Sequence, residues 1–349
     1  MTPPHESLVA VDDTVTLPRR RLAQLVKGCL ESETIEDLRK NLATLSSLKP
    51  KEQGWGKGEV VELRMGVWQS QLRQIRESKS LDRARHYLKR LYRSLDQVKT
   101  PRFSDINLCR WQEYEDLWTD SLWQIDRRDR SGQHSGHYWG NFVPQIPNQL
   151  MRRFSKRGDW VLDPFLGSGT TLIEARRLGR NAIGVELQDS VAQETWSRVQ
   201  REENPHGVKS LVERGNSAST DFRSLLDKHQ VEQVQLAILH PPYHDIIRFS
   251  DSPEDLSNQA SVDDFIQGLS AVVEGVSKVL QRKRFLALVI GDKYAGQNWI
   301  PLGFLAMQKI MQQGFGLKSI VVKNFEDTLG KRNQRELWRY RALAGGFYI

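Results

Sequence analysis

A glycine-rich turn, Asp163-Pro-Phe-Leu-Gly-Ser-Gly-Thr-Thr171, carries the residue types of a small-ligand site. It follows the apolar run Trp160–Leu162 and opens a helical pattern, so a glycine backbone and a helix N-terminus meet there. No lysine follows the second glycine, which excludes a Walker-type phosphate loop, and the third glycine of a dinucleotide fingerprint is missing. Glu186 ends the next apolar run, where a carboxylate can accept both ribose hydroxyls of a nucleoside. The pattern indicates a nucleoside site, and a tight turn without a ligand is the alternative.

Ribose recognition without a phosphate-binding loop points to S-adenosylmethionine as the ligand. Asp163 lies at a predicted strand end, where its carboxylate can meet the amino end of a methionine moiety. Asn216 follows a third apolar run and can contact the adenine ring, although an ordinary turn asparagine fits equally well.

A second motif, Leu236-Ala-Ile-Leu-His-Pro-Pro-Tyr243, runs from a buried strand into two prolines and an aromatic ring. The prolines fix the backbone and remove two donors, so the carbonyls of residues 240 and 241 become stiffly held acceptors. Tyr243 offers a face for stacking a planar base. An exocyclic amine fits such a site, because its hydrogens can go to the Pro241 carbonyl and to the side chain of residue 240. Its lone pair can then attack a sulfonium methyl in line, with catalysis largely by positioning. A rigid loop that merely ends a strand is the alternative.

The elements that must hold these motifs alternate between short apolar runs and helical patterns from about residue 159. This alternation predicts an α/β fold, with a mostly parallel sheet covered by helices on both faces. The predicted strands are Trp160–Leu162, Ala182–Val185, Leu236–Leu239, Phe285–Ile290 and Leu317–Val322. The predicted helices are Thr171–Leu178, Ser190–Glu203, Val262–Leu280 and Leu302–Gln313. Ligands of such sheets bind outside the carboxyl ends of the strands, which is where both motifs lie.

Three regions are predicted along the chain. Residues 1–16 lack periodicity and are expected to be disordered, and residues 17–100 show the spacing of a small helical domain. Residues 101–349 are expected to form the catalytic domain, with a cofactor turn at 163–171, a catalytic turn at 240–243 and a basic loop at 324–346.

Composition and charge narrow the class of protein. With 38% hydrophobic and 27% charged residues in 349, the chain is neither a disordered tail nor a collagen. The longest apolar runs are strand-sized, which predicts no membrane span, and the N-terminus lacks a secretory pattern. Two cysteines cannot build a disulfide framework or a cysteine-type zinc site, so a cytoplasmic location is expected. No metal is expected either, because His86, His134 and His137 form no metal constellation with nearby acids.

The net charge of +8 is concentrated between Arg64 and Arg102, a segment that contains eleven lysines and arginines but only three acids. Such a stripe is typical of a protein that binds phosphate backbones, although a solvated helix face is equally consistent. Arg83, Arg90 and Arg93 fall on one side of a helical pattern. A second basic stretch, with interleaved aromatics, contains Lys331, Arg335, Trp338 and Arg339. It follows the last predicted strand, so we favour it for contacts near the target.

The two motifs together resemble the amino-group DNA methyltransferases, which make N4-methylcytosine or N6-methyladenine. The resemblance covers about residues 135–323 and implies a Rossmann-like S-adenosylmethionine methyltransferase fold, in one of the family's circularly permuted orders. The segment 140–150 is similar to the element that completes the cofactor pocket in that family. The resemblance implies cofactor contacts at Phe142, Asp163, Phe165, Gly167, Ser168, Gly169, Thr170, Glu186 and Asn216. It implies that His240, Pro241, Pro242 and Tyr243 form the catalytic turn and that the partner is duplex DNA with a flipped-out base.

Two features depart from the family pattern. Residue 240 is His, where the family usually has Asp, Asn or Ser, and only a neutral imidazole can accept a hydrogen bond there. Activity should therefore fall as the pH drops through its pKa. The chain also stops at Ile349, before a full final strand of the family fold, so that strand is short or the product is truncated.

Several functions remain open at this stage. The favoured one is methylation of DNA in a bacterial or archaeal nucleoid, with cytosine and adenine undecided and with a cognate restriction or defence protein as a candidate partner. A methyltransferase acting on guanine N2 of RNA or tRNA is the second. A catalytically silent module that binds DNA or cofactor is the third. The oligomeric state is not indicated by the sequence.

Overall fold

The computed structural model describes residues 14–46, 60–134, 138, 140–141, 143–295 and 298–325. Two compact units divide the chain. The first consists of Met1–Pro101 with Ile106–Asp116, and the second of Arg102–Asp105 with Leu117–Ile349. The predicted boundary at residue 100 thus lies close to the division at Pro101, but residues 106–116 return to the first unit.

The first unit combines helices with a two-stranded sheet that the sequence did not predict. Its elements are β1 (Thr14–Pro18), α1 (Arg19–Leu30), α2 (Ile35–Ser46), β2 (Val60–Arg64), α3 (Met65–Arg76) and α4 (Leu81–Asp96). Strands β1 and β2 pair antiparallel, with Leu17 opposite Val61 and both side chains buried. Disorder through residue 16 is therefore wrong for residues 14–16, because backbone pairing fixes them. Residues 1–13 lie outside the described part.

The helices of the first unit form where their apolar residues recur every three or four positions. Leu38, Leu42 and Leu45 share the buried face of α2, as that spacing requires. Ser80 begins α4 by accepting a hydrogen bond from the Arg83 backbone amide, so the chain restarts a helix there in a new phase.

The second unit is built on a parallel sheet of five strands in the order β6-β5-β4-β7-β8. The strands of the whole unit, including the pairs β3–β11 and β9–β10 outside that sheet, are β3 (Leu122–Ile125), β4 (Trp160–Asp163), β5 (Asn181–Glu186), β6 (Ser210–Arg214), β7 (Val234–Leu239), β8 (Leu280–Leu288), β9 (Lys293–Ala295), β10 (Asn298–Ile300) and β11 (Val322–Phe325). Its helices are α5 (Gln145–Phe154), α6 (Thr170–Leu178), α7 (Asp189–Arg201), α8 (Phe222–Lys228), α9 (Val262–Ser277) and α10 (Leu302–Gln312). The strand order reverses between β4 and β7, so a crevice opens at their carboxyl ends.

Each face of this sheet has its own apolar core. On one face, Phe222, Phe265 and Val276 pack against the strands, and all three are at most 1% exposed. On the other face, Met151 and Leu172 pack against the strands. Burying a side chain of this size contributes about 1.5–3 kcal/mol, so both faces hold the sheet rigid beneath the crevice. The predicted α/β fold is confirmed by this architecture.

The last predicted strand is misplaced. Leu317–Val322 was expected to be a strand, but the strand found is β11, which pairs in parallel with β3 from Val322 onward. Leu317 and Ile320 are about half exposed, because within the described residues no strand pairs with 317–321. An apolar run forms a strand only where a neighbouring strand can accept its hydrogen bonds. Residues 324 and 325 of the basic loop predicted at 324–346 belong to β11, and the rest of it lies outside the described residues. No helix among the described residues is long and apolar enough to cross a membrane.

Candidate active site

A cleft of about 820 Å³, counted to its open mouth, lies at the carboxyl ends of the central strands. Both motifs line it. The predicted residues on its walls are Phe165, Gly167, Ser168, Thr170, Glu186, Asn216, His240, Pro241 and Pro242. The sheet therefore brings together the end of β4, the end of β5, the loop after β6 and the turn after β7.

Asp163, at the end of β4, is fully buried and does not line the cleft. Its Oδ1 accepts a hydrogen bond of 2.9 Å from the Phe165 backbone amide, so the carboxylate holds the glycine-rich turn from beneath. Burial raises the pKa of Asp163 to about 6, while hydrogen bonds from Thr171 and Phe165 oppose the rise. The structure thus gives Asp163 a supporting position, where the sequence suggested contact with the methionine end of a ligand.

The two glycines of the turn have different surroundings. Gly167 lines the cleft with φ of 49°, and its carbonyl accepts a 2.7 Å hydrogen bond from Thr195 Oγ1. Gly169 begins α6 with φ of 82° and does not line the cleft. A Cβ atom there would lie 2.7 Å from Thr195 Cγ2, so this glycine allows α7 to pack closely against the turn.

Glu186 lines the cleft at the end of β5 and is 7% exposed. Its two carboxylate oxygens accept hydrogen bonds from the backbone amides of Gly167, at 2.9 Å, and Gln188, at 3.0 Å. Burial raises the pKa of Glu186, and the nearby carboxylate of Asp255 adds to the rise. Each carboxylate oxygen has a second lone pair, so both can still accept a ligand hydroxyl.

The loop after β6 is tied to the glycine-rich turn. Ser217 Oγ donates a hydrogen bond of 2.5 Å to the Pro164 carbonyl. Asn216 lines the cleft, and its Oδ1 accepts from the Ala218 backbone amide at 2.9 Å. Asn216 therefore makes the local bond of a turn asparagine and also lines the cleft, and its contact with an adenine ring stays a prediction.

Some cleft residues were missed by the sequence analysis. Tyr138 and Phe249 stack at a centroid distance of 6.0 Å, and both line the cleft. Asn141 accepts a 2.6 Å hydrogen bond from Thr170 Oγ1, and Asp255 is a second buried acid of the cleft. They come from loops whose sequences carry no periodic signal, and only the similarity of segment 140–150 pointed to part of them. Phe142, predicted from that similarity, lies outside the described residues.

The Pro-Pro-Tyr turn follows β7 and is supported by a lysine from β11. Lys323 Nζ donates to the Tyr243 hydroxyl at 2.7 Å, and that hydroxyl lies 3.0 Å from His240 Nε2. Lys323 Nζ also lies 5.2 Å from the centre of the Tyr243 ring. Desolvation lowers the pKa of His240 well below 6.5, and the charges of Lys323 and Arg128 lower it further. His240 is therefore neutral at physiological pH, as the sequence analysis required for activity. Tyr243 itself is not among the residues lining the cleft.

The residue after the turn, His244, has an unusual backbone. Its φ is 53°, in the left-handed region that few residues other than glycine adopt. The side chain is buried, with Nε2 3.0 Å from the Gln259 carbonyl and Nδ1 3.1 Å from Lys293 Nζ. These two contacts hold the strained residue and fix the direction in which the chain leaves the turn.

Comparison with known proteins agrees with this geometry. A family model described as DNA methylase matches residues 49–195, which include the glycine-rich turn and Glu186 but end before the Pro-Pro-Tyr turn. Over 80 residues the chain is 40% identical to the Type II methyltransferase M.MjaI of Methanocaldococcus jannaschii, covering 23% of this chain and 26% of that protein. Over these stretches the chain is similar to DNA methylases and to Type II methyltransferases.

A second curated protein and a solved structure extend the comparison. Over 93 residues the chain is 37% identical to the Type II methyltransferase M.MthZI of Methanothermobacter thermautotrophicus, covering 26% of each protein. The chain thus spans about a quarter of the length of the curated relatives it matches. Among solved structures, TrmN from Thermus thermophilus aligns with 17% identity and a TM-score of 0.34, over 48% of this chain and 41% of that one. The α/β fold of the second unit is shown by its strand order and not by that alignment.

The basic residues predicted to contact DNA fall in two groups. In α4, Arg83 and Arg93 are exposed and Arg90 is half-buried, and none of the three forms an ion pair with a described residue. The guanidinium carbons of Arg83 and Arg90 lie 4.9 and 5.4 Å from the centre of the Tyr87 ring. Lys331, Arg335, Trp338 and Arg339 lie outside the described residues. Contact with DNA stays a prediction for both groups.

His134, for which no grouping with acids was expected, meets two acids outside the cleft, because Asp129 and Glu174 come from separate segments that pack together. Asp129, His134 and Glu174 place one ligand atom each within 4.8 Å of the others. Arg177 Nη1 lies 3.3 Å from both Asp129 Oδ2 and Glu174 Oε1, and its Nε donates to Glu202 at 2.8 Å. The Arg177 guanidinium thus supplies the positive charge of this cluster. The cluster joins α6 to residues 129–134.

Proposed function

We propose that the protein transfers a methyl group from S-adenosylmethionine to the exocyclic amine of cytosine (N4) or adenine (N6) in a base flipped out of duplex DNA. The observation that carries this proposal is the shared cleft. Glu186 and the glycine-rich turn line one end of it, and His240, Pro241 and Pro242 line the other. A nucleoside site and an amine site are therefore open to the same space.

The residues of the acidic end fit the cofactor. Glu186 keeps a free lone pair on each carboxylate oxygen after its two backbone contacts, which matches a pair of ribose hydroxyls. Phe165, Gly167, Ser168, Thr170 and Asn216 would complete the contacts with the cofactor. When bound, S-adenosylmethionine supplies a methyl group activated by its sulfonium.

The residues of the Pro-Pro-Tyr turn position the amine. The two prolines fix the turn, and the Pro241 carbonyl is an acceptor for one amine hydrogen. Such positioning is worth several orders of magnitude in rate when the reacting atoms are held in line. Neutral His240 adds no positive charge next to the amine, so the lone pair of the amine stays available at physiological pH.

The setting of the reaction is part of the same proposal. The relatives matched are Type II methyltransferases, so a cognate nuclease is a reasonable partner for this protein. The helical unit with Arg83, Arg90 and Arg93 would contact the phosphate backbone of the duplex, at a nucleoid-associated location in the cytoplasm.

The test uses the full chain with tritiated S-adenosylmethionine at pH 8 and either duplex DNA or RNA, followed by digestion to nucleosides and chromatography. Label in N4-methyldeoxycytidine or N6-methyldeoxyadenosine supports the proposal and identifies the base. Label in N2-methylguanosine would replace it with an RNA methyltransferase. Cofactor binding without any transfer would instead indicate a silent binding module.

A further inference from the structure

The contact between Lys323 and the Pro-Pro-Tyr turn is not explained by the motif itself. Lys323 lies on β11, a strand that pairs with β3 outside the five-stranded sheet, and about eighty residues separate it from Tyr243 in sequence. Three groups follow one another at hydrogen-bonding distance: Lys323 Nζ, the Tyr243 hydroxyl at 2.7 Å, and His240 Nε2 at 3.0 Å from that hydroxyl.

The chemistry of these groups favours one order of donation. A lysine ammonium has three donors and no acceptor, so the tyrosine oxygen must accept from it. The single hydroxyl hydrogen of Tyr243 can then go to His240 Nε2 when that nitrogen is unprotonated. A neutral imidazole with an acceptor at Nε2 carries its hydrogen on Nδ1.

We propose that Lys323 is a positioning residue that fixes the tautomer of His240, so that Nε2 accepts from Tyr243 and Nδ1 carries the proton. In this arrangement Nε2 does not accept a hydrogen from the target amine, which is the role that Asp, Asn or Ser at this position would fill. The Pro241 carbonyl becomes the principal acceptor, and the side chain of His240 serves to hold Tyr243 in place.

The charges around the imidazole act in the same direction. Lys323 and Arg128 both face His240, and Tyr243 lies edge-on to it with ring centroids 5.7 Å apart. Protonation of His240 would place a third positive charge beside two others and would remove the acceptor for the Tyr243 hydroxyl. Lys323 therefore also extends the pH range in which the turn keeps its geometry.

The first experiment reads the tautomer directly. Protein labelled with ¹⁵N-histidine is studied by two-bond proton–nitrogen correlation spectra between pH 5 and 8.5, with His240→Gln used to assign the signals. We expect the Nδ1–H tautomer in the wild type across the range. A wild-type spectrum with the proton on Nε2 would overturn the inference.

The second experiment uses variants of the lysine. In Lys323→Met the pKa of His240 should rise, because one positive charge beside the imidazole is removed while its burial and Arg128 remain. Methyl transfer at pH 6 relative to pH 8.5 should then fall below the wild-type ratio. Lys323→Arg keeps a donor and a charge and should restore most of the wild-type profile. Lys318→Met removes the same charge from an exposed position and should leave the His240 signals unchanged.

An unchanged His240 titration in Lys323→Met would contradict the inference, whatever the rate. Should that variant unfold, Tyr243→Phe removes the hydroxyl alone and should shift His240 toward a mixture of tautomers. The rate comparison rests on the proposed function, but the spectra do not. A wild type with the expected tautomer and no methyl transfer would therefore refute the proposed function and leave this inference standing.

Discussion

The two ends of the cleft are held in place by opposite charges. At the glycine-rich end, buried carboxylates accept backbone amides, with Asp163 under the turn and Glu186 across it. At the Pro-Pro-Tyr end, lysines support histidines, with Lys323 acting through Tyr243 on His240 and Lys293 contacting His244. A flexible turn rich in glycine needs acceptors to order its amides, whereas a turn with two prolines has few amides to satisfy and is fixed through its side chains.

This difference suits the two halves of the proposed reaction. The acidic end can attract a cationic ligand and accept its hydroxyls, and under the proposed function the positive charge of the other end would attract the phosphates of the nucleic acid. If the two ends have these separate roles, substitutions at the Pro-Pro-Tyr end should lower methyl transfer, and substitutions at the glycine-rich end should lower cofactor affinity.

The largest effect is expected at the basic end. Tyr243→Ala removes the ring that His240 and Lys323 both contact, so the amine site loses its support. Methyl transfer should fall by about a hundredfold or more, the scale of a misplaced reacting group. Cofactor affinity, measured by calorimetry, should stay within about twofold, since Tyr243 is not among the cleft-lining residues. Loss of cofactor binding in this variant would mean that the two ends are not separate.

At the acidic end, Glu186→Gln should weaken cofactor binding while leaving the protein folded. The charged hydrogen bonds at stake are worth about 1.5–3 kcal/mol, which corresponds to roughly ten- to a hundredfold in Kd. Glu213→Gln is the matched control, because Glu213 is an acid of the neighbouring strand that pairs with Lys228 and His229 instead of lining the cleft. Equal affinities of both variants would argue against Glu186 as the ribose acceptor.

The smallest effect concerns stability and pH. Because burial raises the pKa of Asp163 to about 6, the native state binds more protons there than the unfolded state, and stability is lost as the pH rises from about 4 to 6. Asp163→Asn keeps an acceptor for the Phe165 amide and removes the buried charge. It should stabilise the protein by about 1 kcal/mol at pH 8 and by less at pH 5, measured as urea denaturation. A variant that is less stable at both pH values would show that a partner we have not identified satisfies the carboxylate.

The sequence predicted much of the second unit because local signals and fold agree there. Runs such as Leu236–Leu239 are apolar enough to be buried on both faces, and the glycines and prolines that follow end their strands wherever they occur. Because the strands run parallel, their carboxyl ends lie at one edge of the sheet, and both motifs follow a strand at that edge.

The rest depended on contacts between distant segments. No local pattern links Lys323 to Tyr243, or Arg177 to Asp129, because each pair is joined only when separate elements pack together. The pairing of β1 with β2 was missed for the same reason, since a short strand is defined by its partner. The sequence did not predict the supporting position of Asp163 either, because an acid at a strand end can face a ligand or the turn that covers the strand.

The raised pKa values of the acidic end have a thermodynamic consequence. Where a folded protein holds carboxyl groups above their ordinary pKa, as at Asp163 and Glu186, a cation that binds nearby favours their ionised form. Binding then releases protons into a mildly acidic buffer, and affinity for the cation grows as the pH rises. A sulfonium is such a cation, but the thioether left after methyl donation is neutral. The same buried acids would therefore distinguish fresh cofactor from spent product by charge, and the preference would be greatest above pH 6.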